Sequence, residues 1–267
     1  MNRLSAHIGY LYTELPLQDR LAAAARGGFT AVEHPEPWAI PAAEMRERLA
    51  DLGLVLAQVT SGMGAAGEKG LAALQGREAD FRAGFRRAVD YAIATGCPFV
   101  HPMAGTGGDA ACYDANIGWA QAQIAGSGLR LLIEAITIPS YHLATLEQAM
   151  ALQDRLGGAP ALLFDSYHAA VLGYDPVAFV QAHAARIGHV HIADHPGRHQ
   201  PGTGTLPLVA LRAALQRAGY AGAIGFEYIP IGPTEDSLGF LPGWAAEPIG
   251  DSHGRTRHPA PCHPAHQ

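Results

Sequence analysis

The sequence predicts an α/β protein whose strands close into a (β/α)8 barrel. Three observations predict it. Short apolar runs alternate with helical patterns almost from the first residue. About eight such alternations fit in roughly 240 residues, a common length for this architecture. The last apolar run is followed by little helix, so the count closes at eight. The alternative is a doubly wound open sheet, but no GxGxxG opens a helix after the first strand.

The elements follow in order. A strand over 5–10 leads to a helix over 17–27 that ends in the pair Gly27-Gly28. A strand over 31–34 precedes a helix over 41–51, and the third strand spans 55–60. A polar, Gly-rich stretch over 61–76 comes next, then a long helix over 78–95. In that helix Phe81, Phe85, Ala88, Val89, Ala92 and Ile93 fall on one stripe, expected to pack on the sheet. Strands over 99–103, 129–135, 161–166 and 189–194 follow, with helices over 113–125, 145–156, 176–183 and 206–218 after them. The eighth strand covers 223–229. The barrel is thus expected over 1–244. The stretch 245–267 is rich in Pro, His and Gly without apolar periodicity, and reads as a disordered tail.

Composition narrows the function classes. An apolar fraction of 48% in 267 residues allows a large core, and a net charge of −6 disfavours a nucleic-acid surface. Cys97, Cys112 and Cys262 form neither a CxxC pair nor an even framework, so a reduced, cytoplasmic protein is expected. Cys97 reads as a buried small residue. The N-terminal segment has no long apolar run, and no stretch approaches the roughly 18 apolar residues of a membrane span.

The chemistry lies at four strand ends. The runs LRLLIEA, ALLFDSYH, GHVHIAD and AIGFEYI carry Glu134, Asp165, His191 and Glu227, spaced by 31, 26 and 36 residues. Each spacing is about one βα unit, so the four side chains point into a common mouth. Three carboxylates converging without a cation would raise each other's pKa, and a divalent ion resolves the conflict. With a neutral imidazole added, the donor set favours Mg2+ or Mn2+, with Zn2+ or Co2+ as alternatives. His168, three residues past Asp165, is expected at the start of the following loop, within reach of a substrate hydroxyl. His189 shares a face with His191 but lies farther from the mouth and suits a buried barrel layer. Arg198, in the loop after the seventh strand, could take a substrate carboxylate or phosphate bidentately. Glu33 and His101 are weaker mouth candidates, and His7 weaker still.

These residues resemble the hydroxypyruvate isomerase family, within the xylose isomerase-like TIM barrel superfamily. The resemblance rests on YTELPLQDRLAAAARGGFTAVEH, LAALQGRE at 71–78, HPMAG at 101–105, IEAIT at 133–137 and DSYHA at 165–169. Its most specific segments are HVHIADHPGRHQP at 189–201 and GFEYIPIGPTEDSLGF. The resemblance implies a divalent-metal isomerase that interconverts a small hydroxy-aldehyde and its ketone, such as hydroxypyruvate or a 2-oxo-tetronate. It implies Glu134, Asp165, His191 and Glu227 as metal ligands, Glu134 and Glu227 as proton carriers, and His168 and Arg198 as substrate-positioning groups. Two positions depart from the family: His191 stands where members commonly carry Gln, and Ile229 where they commonly carry Lys.

The expected mechanism is proton transfer through an enediolate. Rivals are a ketose 3-epimerase or other sugar isomerase of the superfamily, a metal-dependent dehydratase of a cyclic polyol, and a non-catalytic sugar-binding protein. A phosphodiester nuclease would need a larger ligand set and a basic channel, against the net charge of −6. The expected partner is a small hydroxy-carbonyl or sugar substrate, with no nucleic acid and no membrane. Homo-oligomerisation is suggested by analogy alone.

Overall fold

A computed structural model describes residues 2–245, so the tail expected over 245–267 lies, beyond its first residue, outside the described residues. Nine parallel strands form the sheet: β1 (Leu4–His7), β2 (Ala31–Glu33), β3 (Val55–Leu56), β4 (Val59–Thr60), β5 (Phe99–His101), β6 (Arg130–Glu134), β7 (Ala161–Asp165), β8 (Ile187–Ile192) and β9 (Ile224–Phe226). Their spatial order is β3-β2-β1-β9-β8-β7-β6-β5-β4. The two ends of that order, β3 and β4, are separated in sequence only by Ala57 and Gln58. The expected third strand is therefore broken in two: its first half pairs with β2 and its second with β5, which nearly closes the barrel. At the break, the Ala57 amide donates to the Val32 carbonyl at 2.8 Å and the Ser61 amide to the His101 carbonyl at 3.0 Å.

Helices surround the sheet: α1 (Leu17–Arg26), α2 (Ala42–Asp51), α3 (Glu78–Thr95), α4 (Ala110–Gln123), α5 (Leu146–Arg155), α6 (Ser166–Val171), α7 (Pro176–His183), α8 (Leu208–Arg217) and α9 (Leu241–Ala245). Their starts are chemically marked. Asp109 caps α4, Thr145 and Gln148 form a capping box on α5, and Asp175 caps α7 with Pro176 at its first position. In α3, Phe81, Phe85, Ala88 and Ala92 are buried as the stripe predicts. Ile93 is the exception at 57% exposure, because it lies one step past the edge of that stripe. No helix among the described residues is long and apolar enough to cross a membrane.

The two-residue period of each strand separates an inner from an outer face. In β6, Leu131 and Ile133 join the large core shared with the helices. Leu132 instead meets Ala161 and Leu163 of β7, with Phe99 packed against them, in a small separate cluster. That cluster is the apolar floor of the barrel. Glu134 and Asp165, two residues beyond Leu132 and Leu163, share its face one layer nearer the mouth. Burying each such leucine stabilises the fold by ~1.5–3 kcal/mol, and this anchors the strands that carry the polar ends.

Candidate metal centre and active site

Register brings the strand ends together. Asp165 of β7 pairs with His191 of β8, and His191 pairs with Gly225 of β9. Strands lie about 4.8 Å apart, so these positions are direct neighbours. Glu134 ends β6, and Glu227 follows β9, continuing the ladder by donating its amide to the Ile192 carbonyl at 3.2 Å. A register shift between Leu162 and Leu163 of β7 places Leu163 opposite His189, so that His189 and His191 both face inward. Ligand atoms of Glu134, Asp165, His191 and Glu227 all lie within 4.8 Å of one another.

Each of the four is aimed by a partner. Asp165 is the N-cap of α6: its Oδ1 accepts from the amides of Tyr167 at 2.7 Å and His168 at 3.1 Å, while Oδ2 has no hydrogen-bond partner. His191 places Nε2 at 2.9 Å from Glu33 Oε2, which leaves Nδ1 for the site. That Nδ1 lies 3.3 Å from Glu227 Oε2 and 3.9 Å from Glu134 Oε1. Glu134 is buried, with His101 Nδ1 at 3.8 Å from its Oε2. Glu227 pairs with the Arg198 guanidinium and faces His7 Nε2 at 3.4 Å.

These residues fit a divalent ion. Buried Glu134 Oε1, Asp165 Oδ2 and His191 Nδ1 all lack hydrogen-bond partners, and all three converge. Buried polar atoms left unpaired are costly, and a hard cation bound by mostly oxygen donors would satisfy them together.

The electrostatics divide the two glutamates. Burial, reinforced by Glu227 and Asp165, pushes the Glu134 carboxyl well above its ordinary value. Burial would also raise Glu227, but Arg198, His191 and His7 outweigh it and hold that carboxyl well below. Burial lowers His191 less than Glu33 and Glu227 raise it, so it sits well above its usual value. His101 is pushed down to about 3 by burial, and His7 and His168 are lowered for the same first reason.

His168 lies in the short helix α6 rather than in the expected loop, because Asp165 caps a helix immediately after β7. Its Nδ1 accepts from the Thr137 amide at 3.3 Å and meets the Thr137 hydroxyl at 2.7 Å, so Nε2 carries the proton. Arg198 adopts a left-handed backbone, φ 58, and its guanidinium lies 4.9 Å from the Tyr10 ring and 5.5 Å from Tyr167. Its Nη2 contacts Glu227 and lies 3.6 Å from Asp165 Oδ2. The guanidinium is therefore already engaged by the carboxylates instead of lying open toward solvent.

The cleft above these groups is lined by all the sequence candidates except Asp165, which lies beneath, and Glu33 and His189, which form a layer deeper in the barrel. His7, ranked weakest from sequence, contacts Glu227 directly. Tyr10, Gln58 and Thr60 also line the cleft, and none of them is a ligand-type residue at a strand end that the sequence pattern marks. Extending the strand-end pattern to hydroxyls points to Thr60, which ends β4, whereas Gln58 lies in the break between β3 and β4 and Tyr10 lies beyond β1.

The fold and site define a class of protein. The family model for the xylose isomerase-like TIM barrel matches residues 21–244, and the chain belongs to that family. A 2-oxo-tetronate isomerase from Cupriavidus necator is 39% identical over 90% of this chain and 98% of its own length. A hydroxypyruvate isomerase from Escherichia coli is 33% identical over 90% of this chain and 98% of its own. A crystal structure from Brucella melitensis, described as an AP endonuclease of family 2, superposes with a TM-score of 0.86 at 32% identity, covering 91% and 99% of the two chains. Within the superfamily the chain is thus a member of the hydroxypyruvate isomerase group of enzymes.

Proposed function

We propose that this protein is a divalent-metal-dependent isomerase of a small hydroxy-carbonyl acid, such as hydroxypyruvate or a 2-oxo-tetronate. The observation that carries the reading is the convergence of three unpartnered buried donor atoms, on Glu134, Asp165 and His191, with Glu227 in the same group. The names of the relatives point to the same substrate class.

In this reading Glu134, Asp165, His191 and Glu227 hold the ion, with Mg2+ or Mn2+ best suited to the donors. When bound, the ion supplies electrophilic polarisation of a carbonyl and its neighbouring hydroxyl, which acidifies the C–H bond beside the carbonyl. One of Glu134 and Glu227 removes that proton, leaving an enediolate. The other delivers a proton to the adjacent carbon, and the hydroxyl proton passes from the oxygen of the first carbon to the former carbonyl oxygen, so that carbonyl and hydroxyl exchange places. The gained and lost protons on the two glutamates then re-equilibrate with solvent. His168, with its proton on Nε2, donates to a substrate oxygen. Arg198 holds the charge and orientation of Glu227 and helps to position a polar group of the substrate beside it. The alternative nuclease chemistry needs a basic channel, against the net charge of −6.

A panel of hydroxypyruvate, 2-oxo-tetronates and free ketoses, assayed with Mg2+ or Mn2+, tests the reading. Turnover of an acid with solvent deuterium entering the product is expected. Turnover of free ketoses alone would replace it with an epimerase or sugar isomerase.

A further inference from the structure

The chain contains a single lysine, Lys69, and it lines the same cleft as Glu134, Glu227 and His168. Its side chain is exposed and its backbone is left-handed, φ 54, a region that residues with a Cβ rarely adopt. The loop pins the peptide on both sides of it. The Glu68 carbonyl accepts from the Thr106 amide at 2.8 Å, and the Glu68 side chain accepts from the Ala65 amide at 2.5 Å and pairs with Arg77. The Gly70 amide donates to the Met63 carbonyl at 2.9 Å, and Gly70 bridges to Ala104. A Cβ on Gly70 would come within 2.4 Å of the Met103 carbonyl oxygen, so this close approach requires glycine. An uncommon backbone held by its surroundings at the edge of a cleft is a mark of a functional position.

Charge distinguishes Lys69 from the other permanent cation of the cleft. Arg198 is committed to Glu227 and Asp165, while Lys69 has no ion-pair partner among the described residues. A divalent ion and Arg198 together balance the three carboxylates Glu134, Asp165 and Glu227. An anionic substrate would then bring one uncompensated negative charge, and Lys69 is the uncommitted group that can meet it.

We propose that Lys69 binds the carboxylate of the substrate and selects acids over neutral hydroxy-carbonyl compounds. The inference rests on the isomerase reading above and sharpens it. The substrate's carboxylate lies at the loop that carries Lys69, and its reacting carbons lie at Glu134 and Glu227.

Because the chain has one ε-amino group, two measurements isolate it. Lys69→Gln should raise KM for the acid substrate by about 10-fold, with a smaller change in kcat, and Lys69→Arg should recover part of the loss. The preference for the acid over a neutral hydroxy-carbonyl analogue of the same chain length should fall by a similar factor. In Glu134→Gln protein loaded with Mn2+, the acid substrate should slow trinitrophenylation of Lys69, located by peptide mass mapping, and the neutral analogue should not. An unchanged KM and no protection, in an enzyme that still turns over the acid, would overturn the role of Lys69 and leave the isomerase reading standing. An enzyme that turns over only neutral ketoses would overturn both.

Discussion

Two polar clusters in this barrel share one residue, His191, and differ in what their remaining atoms do. The deeper cluster is Glu33, His189 and His191. Both imidazoles place Nε2 at 2.9 Å from the same oxygen, Glu33 Oε2, and all three residues are buried. The upper cluster is Glu134, Asp165, His191 and Glu227; the first three each bring an unpartnered atom, and Glu227 is paired with Arg198. The deeper cluster is bonded among its own members through Glu33 Oε2, although Glu33 Oε1 and His189 Nδ1 stay unpartnered, and despite burial the two histidines hold its carboxylate well below the ordinary range. It works as a pedestal that fixes the ring of His191. The upper cluster borders the cleft, and its residues could hold a metal ion there. Both clusters keep unpartnered atoms, so what separates a candidate site from a support here is access: Glu134, His191 and Glu227 line the cleft, and Glu33 and His189 do not.

The largest effects should come from breaking the upper cluster. Glu134→Gln and Glu227→Gln are each expected to lower turnover by about 10^2- to 10^4-fold, the usual weight of a general acid or base. Far-ultraviolet circular dichroism should be unchanged. Full solvent-deuterium incorporation by both variants would rule out the two-glutamate mechanism.

The pedestal should act on metal and only through it on rate. Glu33→Gln removes the carboxylate that orients His191, and second-layer losses of this kind weaken metal binding by about 10- to 100-fold. Calorimetric titration with Mn2+ measures it. Unchanged affinity would mean that the His191 ring is held by packing alone.

The same contrast marks how far the sequence could be read. Glu134, Asp165, His191 and Glu227 were legible because each ends an apolar run at βα spacing, and a parallel barrel sends all such ends to one mouth. The Glu33–His191 contact joins residues 158 apart, and no local pattern signals it. The helix α6 is six residues long, too short to show a period, and only its Asp165 cap marks it. Lys69 sits in a Gly-rich loop with no periodicity, and its place on the cleft depends on contacts to the loop after β5. The barrel was legible from alternation. The break in the third strand was not, because Val55 to Thr60 reads as one continuous run.

Packing offers a sharper test of the pedestal. Gly225 lies against it: a Cβ there would stand 2.2 Å from Glu33 Oε1, 2.8 Å from His191 Cδ2 and 3.0 Å from His189 Nε2. Gly225→Ala should therefore destabilise the protein by about 1–3 kcal/mol through overpacking and weaken metal binding with it. Thermal unfolding with and without Mn2+ separates the two consequences. A variant with wild-type stability and affinity would show that the pedestal can shift freely and does not fix the ring.

The upper cluster should also carry a stability cost in metal-free protein, with a definite dependence on pH. The folded Glu134 carboxyl is raised well above its ordinary 4.5, chiefly by burial. Above pH 4.5 the unfolded chain has released this proton while the folded protein still holds it, so stability falls as pH rises toward the folded value. Glu227 has the opposite sign: its depressed pKa contributes stability that is complete above 4.5 and is lost as pH falls. The difference between wild type and Glu134→Gln, both with chelator, isolates the first effect. It should be near zero below pH 4.5 and favour the Gln variant increasingly toward pH 8, by about 1 kcal/mol or 2–4 °C in Tm. Adding Mn2+ should reverse the order, since ligand at 100 times its Kd stabilises the wild type by about 2.7 kcal/mol and the variant has lost a donor. A Gln variant less stable than wild type at pH 8 in chelator would mean that Glu134 is already compensated by protein groups, and the upper cluster would then resemble the lower.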